Sequence, residues 1–235
     1  MAKRRKIIAL IPARSGSKGI INKNMYLINS QPLINFTILS ALDSNLIDEV
    51  FVSSDSQEIL DHAKTFGVKS HLRSSEYAQD NSPAHDVVRE FIKIQSLSNM
   101  DVLIYLQPSS PLRNSDDIDK CIELMKKHNF YRIISICKNN TSPFKSFILD
   151  DSRRIKTLFK EKYSNYRRQD LPMTYTANGA LYGFSVEEFN KNNRMFPSNN
   201  ALSYEMPQER SIDIDTIDDL KKVKFVVGDQ ANIHD

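Results

Sequence analysis

Three cationic side chains, Arg14, Lys18 and Lys23, stand close together in IIALIPARSGSKGIINKN, residues 7 to 24. Grouped guanidinium and ammonium ions bind several phosphate oxygens at once, and Gly16 and Gly19 let the backbone between them turn tightly toward a ligand. The chemistry predicted is the binding of a polyphosphate. A second signal lies far downstream, in SIDIDT at 211 to 216. Read as a strand, 211–215 turns Asp213 and Asp215 to one side, where they repel unless a cation sits between them. Mg²⁺, its shell completed by phosphates, resolves that repulsion. One triphosphate gripped by the first stretch and bridged through a metal to the second explains both. Taken singly, the two stretches also fit a solvated basic turn and a solvated strand end.

The remaining polar candidates are more scattered. Gln107 follows an apolar run directly, and its amide discriminates among hydroxyls, amides and base edges. Arg73 and Ser82 flank a loop rich in Ser, Asn and Asp and are candidates for a base or ribose, as is Asp55 after two serines. No His, Cys or Ser triad is visible, which predicts direct displacement without a covalent enzyme intermediate. The glycines stand three apart, matching neither GxGxxG nor GxxxxGK[ST], so a dinucleotide domain and an ordinary ATPase are disfavoured.

These residues must be held by regular elements, and the pattern supplies them. Ile7 to Ile11 is an unalternated apolar run, as in a strand buried on both faces, and the loop leaving its carboxyl end is where an open α/β sheet places its ligand. Helices are predicted from Pro32 to near Asp43–Asn45, over 56–66, over 84–94 and from about Ser115 through Ile118, Ile122, Leu124 and Met125, and strands over 49–53, 68–72, 102–106 and 132–137. This alternation predicts an α/β fold with a doubly wound, mostly parallel sheet. From Lys138 to Tyr175 the chain is polar, with short extended fragments at 147–149 and 155–159, before it returns through Asn178 to Phe184 as a core strand. So little apolar content cannot form a core alone, and this region is expected to pack against the first domain or a second copy of itself. A helix after Thr216 closes the chain.

Composition narrows the function classes. A net charge of +3, with Lys and Arg spread among Asp and Glu, does not call for nucleic acid, and Tyr163, Tyr166, Tyr175 and Tyr182 lie in no RNA-binding module. Cys121 and Cys137 lack metal-ligand spacing and read as reduced core residues. The basic start MAKRRK is followed by an apolar run cut by Pro12 and Arg14, too short for a signal peptide or a membrane span, so a cytoplasmic protein is expected.

The motifs IPARSGSKGIINKN at 11–24, SSD at 53–55, LQPSSPLR at 106–113, NGALY at 178–182 and SIDIDT at 211–216 together resemble the acylneuraminate cytidylyltransferases, the CMP-sialic acid synthetase family, over nearly the whole chain. The resemblance implies a nucleotide-diphospho-sugar transferase-like fold. It also implies transfer of CMP from CTP to the anomeric C2 hydroxyl of a nine-carbon α-keto acid sugar, with Mg²⁺ and release of pyrophosphate. On this resemblance Arg14 and Lys23 hold the triphosphate, assisted by Ser17, Lys18, Asn24 and loop amides. Arg73 and Ser82 lie near cytosine and ribose, Gln107 meets the acyl sugar, and Lys145 and Arg168 meet its carboxylate, partly from a partner subunit. Arg14, Lys23, Gln107 and Asp215 are the implied catalytic set, and Asp213 and Asp215 the implied metal ligands.

The resemblance further implies a homodimer, with 1–137 and 205–235 as the nucleotide-binding core and 138–204 as a small dimerisation and sugar-binding region. Surface polysaccharide biosynthesis is the implied setting. One departure concerns the sugar: family members often carry Arg or Lys two places before the NG pair, where this chain has Thr176. The alternatives are a CMP-KDO synthetase-like enzyme and a non-catalytic CTP-binding module.

Overall fold

The computed structural model describes residues 4–16, 19–74, 77, 83–195 and 199–231. Its elements in chain order are β1 (Ile7–Pro12), β2 (Leu27–Ile28), β3 (Gln31–Pro32), α1 (Leu33–Leu42), β4 (Glu49–Ser54), α2 (Gln57–Lys64), β5 (Lys69–Leu72), α3 (Ala84–Ile94) and β6 (Val102–Leu106). There follow α4 (Ser115–Lys127), β7 (Ile133–Lys138), β8 (Phe147–Leu149), β9 (Ile155–Thr157), β10 (Tyr175–Ser185), α5 (Val186–Asn192), β11 (Leu202–Glu205) and α6 (Ile217–Ala231).

Seven strands form one sheet in the order β11-β7-β10-β6-β1-β4-β5. All its pairings are parallel except the two made by β10, which runs antiparallel between β6 and β7. The predicted doubly wound, mostly parallel sheet is the observed one. β1 sits at its centre, and its side chains divide between two cores. Ile7, Ala9 and Ile11 pack with Ile34, Ile59 and Ile118 from α1, α2 and α4. Ile8 and Leu10 pack on the other face with Phe91 and Phe189 from α3 and α5. A strand covered on both sides must be apolar at every position, which is why this run shows no alternation.

A third apolar cluster lies beneath the carboxyl ends of the strands. It joins Ile20 and Ile28 of the first loop region to Leu112, Ile214 and the α6 residues Leu220 and Val223. The two stretches singled out in the sequence therefore share a floor. The segment between β7 and β10 leaves the sheet, carrying the small β8–β9 hairpin on its own two-stranded ladder. Phe147, Ile148, Leu149 and Ile155 are all exposed there. The second extended fragment ends at Thr157, two residues short of the expected Phe159. Among the described residues no helix is long and apolar enough to cross a membrane.

Candidate active site

The loop after β1 is pinned at both ends. The β1–β4 pairing continues one residue further, as Ala13 N–H donates to the Ser53 carbonyl at 2.8 Å. Ser15 then donates to Asp55 twice, from its amide to Oδ1 at 2.9 Å and from its hydroxyl to Oδ2 at 2.6 Å. At the far end a 3₁₀ turn over Lys23–Met25 begins after Asn22 in the left-handed region, and the buried Asn24 amide donates to the Arg14 carbonyl at 2.9 Å. Arg14 is half-buried at the start of this enclosure. Ser17, Lys18 and Ser82 lie outside the described residues.

The distant acidic segment closes onto this loop. Lys23 Nζ donates to the Ile214 carbonyl at 2.6 Å and lies 3.4 Å from Asp215 Oδ1. Gly19 approaches the same backbone so closely that an added Cβ would fall 2.6 Å from the Asp215 carbonyl oxygen. No side chain fits between these strands of chain.

The expectation that 211–215 is a strand is corrected here: the segment is extended but joins no ladder. Ile214 is fully buried between the half-buried Asp213 and the exposed Asp215, while Ser211 and Ile212 are both half-buried. However, the Ile214 amide donates to the Ser109 carbonyl, 2.8 Å away in the loop after β6, and not to a neighbouring strand. Alternating polar and apolar residues suit any extended chain crossing an apolar floor, so the sequence pattern alone could not reveal the missing partner strand.

Asp213 is half-buried, and its Oδ1 is buried with no hydrogen-bond partner. Burial pushes its carboxyl above the usual range; the Ser109 hydroxyl opposes this, Asp215 adds to it, and Lys23 draws it back. An orphaned carboxylate oxygen beside a second, exposed carboxylate fits a hard cation. Among the described residues no group of three or more His, Cys, Asp or Glu side chains is gathered. A cation at Asp213 and Asp215 would therefore complete its shell with ligand or water oxygens, as Mg²⁺ does with phosphates.

Gln107 and Asp213 meet over a single glycine. Gly179 has φ +75°, and a Cβ there would stand 3.0 Å from Gln107 Oε1 and 3.1 Å from Asp213 Oδ2. It lies where the β10–β7 register shifts between Ala177 and Tyr182, a bulge that re-aims the strand. The neighbouring Asn178 is buried and organises this corner: its Oδ1 accepts from the Ser135 hydroxyl at 2.6 Å, and its Nδ2 donates to Ser211 Oγ at 2.9 Å.

Arg113 braces the same corner from below. It is fully buried, its guanidinium donates to the Ala180 carbonyl at 2.8 Å and the Gln107 carbonyl at 3.3 Å, and burial pushes its pKa down to about 10. In the sequence Asn178 and Arg113 stand out only as members of the motifs NGALY and LQPSSPLR. Asn178, set among Ala177, Gly179 and Ala180, carries a local signal, while Arg113 beside Asn114 and Ser115 carries none, and the Asn178 partners Ser135 and Ser211 lie 43 and 33 residues away.

Arg73 is buried at the end of β5 and donates to the Ser53 carbonyl at 3.0 Å. Asp55, read as a base or ribose contact, has both oxygens engaged by Ser15. Lys145 and Arg168 are exposed on 3₁₀ turns of the excursion, over Pro143–Lys145 and Arg168–Asp170, and not on the sheet that carries the other candidates.

Comparison with known proteins fits this arrangement. The chain is 32% identical over 217 residues to the N-acylneuraminate cytidylyltransferase of Streptococcus agalactiae serotype V, covering 91% of this chain and 51% of that protein. The enzyme of that name from Escherichia coli O18:K1:H7 is 32% identical over 213 residues, covering 90% and 50%. The chain thus spans about half the length of these relatives. It spans nearly all of the pseudaminic acid cytidylyltransferase of Campylobacter jejuni, at 30% identity over 224 residues, covering 94% of this chain and 96% of that one.

In fold it resembles CMP:2-keto-3-deoxy-manno-octonic acid synthetase complexed with CTP, with a TM-score of 0.70 at 17% identity over 96% of this chain and 99% of that one. The 4-diphosphocytidyl-2C-methyl-D-erythritol synthase of Anaerococcus prevotii gives a TM-score of 0.65 at 13% identity, over 95% and 99%. Residues 8–231 match the family described as Cytidylyltransferase. With the match running from the first strand through the last helix, and both poles of the site inside it, the chain belongs to the cytidylyltransferase family.

Proposed function

We propose that this protein transfers CMP from CTP to the anomeric C2 hydroxyl of a nine-carbon α-keto acid sugar of the N-acylneuraminate, legionaminate or pseudaminate type, releasing pyrophosphate. The observation that carries this reading is the meeting of Lys23 with Ile214 and Asp215, which brings cationic and acidic poles to the carboxyl end of the central strand. A nucleoside triphosphate with its metal needs both poles at one place.

In this reading Arg14 and Lys23 neutralise the charge that builds on pyrophosphate as its bond to the α-phosphate breaks. Ser17, Lys18 and Asn24 complete the loop around the phosphates, and Arg73 with Ser82 faces the nucleoside. Gln107, level with Gly179 and Asp213, orients the acceptor sugar so that its hydroxyl stands in line with the leaving group. Lys145 and Arg168 meet the sugar carboxylate. Asp213 and Asp215 hold Mg²⁺, which when bound supplies Lewis-acid stabilisation at the phosphates. The exposed apolar side chains of the β8–β9 excursion pair two copies into a homodimer. The working compartment is the cytoplasm, and the product feeds surface polysaccharide synthesis.

The test is pyrophosphate release from CTP against a panel of nine-carbon and eight-carbon keto acids. Release only when a nine-carbon acceptor is present is the expected result. Preference for an eight-carbon acid would reassign the sugar, and tight CTP binding with no release under any acceptor would overturn transfer.

A further inference from the structure

The carboxylate of Asp55 is turned to the loop that leaves β1. Both of its oxygens accept from one residue, Ser15, at 2.9 Å from the amide and 2.6 Å from the hydroxyl. Ser15 is the residue after Arg14, so this pair of hydrogen bonds to one carboxylate fixes the point at which the loop leaves β1. Asp55 itself is firmly placed: β4 ends at Ser54, and α2 starts just beyond with Ser56 as its N-cap, its side chain accepting from the Ile59 amide. The parallel register of β1 on β4 sets Pro12 opposite Ser53, which brings Asp55 alongside the loop.

A second arginine shares this corner. The buried Arg73 guanidinium holds the Ser53 carbonyl at 3.0 Å, two residues before Asp55, and feels both the attraction of Asp55 and the repulsion of Arg14. The Asp55 carboxylate thus opposes the repulsion that Arg14 exerts on Arg73.

We propose that Asp55 is a positioning residue that presets the phosphate loop by clamping Ser15, and ties that loop to Arg73 so that the triphosphate and nucleoside ends of one nucleotide are gripped in register. The proposal rests on the nucleotide reading above, and it assigns Asp55 no contact with substrate. The clamp lowers the ordering that CTP must otherwise impose on the loop, so its loss falls on nucleotide affinity.

Calorimetric CTP binding and steady-state turnover of Asp55→Ala, Asp55→Asn and Ser15→Ala test this. Asp55→Ala is expected to weaken CTP binding about tenfold or more and to raise KM for CTP, while KM for the sugar stays within about twofold. Asparagine can still accept from the Ser15 amide and donate to its hydroxyl, so Asp55→Asn is expected to recover most of that affinity. Ser15→Ala loses the shorter bond and is expected to weaken CTP severalfold. Wild-type CTP affinity in folded Asp55→Ala, or equal losses for CTP and sugar, would overturn the role. If Asp55→Ala fails to fold, unchanged affinity in Ser15→Ala does so by itself. Absence of turnover in the wild type would instead sink the transfer reading, leaving the binding comparison intact.

Discussion

Lys23 Nζ and Asp215 Oδ1 lie 3.4 Å apart although 192 residues separate them in the chain. The lysine is largely covered while the aspartate side chain is 76% exposed, so the pair presents its acidic member to solvent and keeps its cation against the Ile214 carbonyl. An exposed pair of this kind contributes little to stability. Its consequence is for ligand binding.

Replacing Asp215 with alanine is therefore expected to leave the unfolding temperature near wild type and to reduce pyrophosphate release about a hundredfold or more. A Mg²⁺ titration decides it, because wild-type turnover by the variant at any concentration would remove Asp215 from the metal site. Lys23→Ala is expected to act on CTP use, and unchanged pyrophosphate release at low CTP would count against its triphosphate role.

Gly19→Ala tests the closure of the loop on the acidic segment. The added Cβ meets the Asp215 carbonyl oxygen at 2.6 Å, a backbone atom that must move. A displacement of about 1 Å at such a place lowers turnover about a hundredfold. Near-normal kinetics would show that the two segments do not have to keep this spacing.

Asp213→Asn separates stability from binding. The wild-type carboxylate has a buried oxygen without a partner and a second carboxylate nearby, both unfavourable to the metal-free fold. The neutral amide is expected to raise the melting temperature of the metal-free protein and to abolish the further rise expected of the wild type with Mg²⁺ and CTP. Differential scanning calorimetry with and without Mg²⁺ and CTP reads both effects, and an undiminished Mg²⁺-dependent rise in the variant would exclude Asp213 as a ligand.

Asp219 anchors α6 directly behind the acidic segment. It accepts from the Thr216 amide at 3.0 Å and the Thr216 hydroxyl at 2.7 Å, and these bonds with Lys222 hold its pKa down to about 2 against an ordinary 3.8. A depressed acid stabilises the fold above its unfolded pKa and loses that contribution as pH falls through its folded one. Asp219→Asn is expected to cost about 1 kcal/mol near neutrality, as a weakened helix cap does, with the gap closing between pH 3.8 and about 2. Urea titrations across that range measure it, and a constant gap would refute the assignment.

The β8–β9 hairpin exposes Ile148 at 53%, Leu149 at 62% and Ile155 at 65%, an apolar face that the proposed homodimer would cover. Sedimentation is expected to give a dimer of the 27.0 kDa chain, and Leu149→Asp to shift it toward monomer. A wild-type monomer at working concentration would refute the dimer.

The amino-acid sequence by itself determined the alternating strands and helices of the first half of the chain and the two chemical poles. Ile7 to Ile11 is apolar at every position because a central parallel strand is covered on both faces, and the helices announce their buried sides through local spacing that needs no distant partner. Clustered Arg and Lys with glycine, and paired Asp, are likewise local facts. Only the tertiary structure decided what those groups face. It left 211–215 without a ladder, because its amide hydrogen bond goes to Ser109 across more than a hundred residues of chain. It set both Asp55 oxygens against Ser15, and raised Asn178 and Arg113 from motif letters to the braces of the Gln107 corner. Hydrogen bonds of this kind join residues far apart in sequence, and no periodicity encodes a partner that chain crossing alone brings within 3 Å.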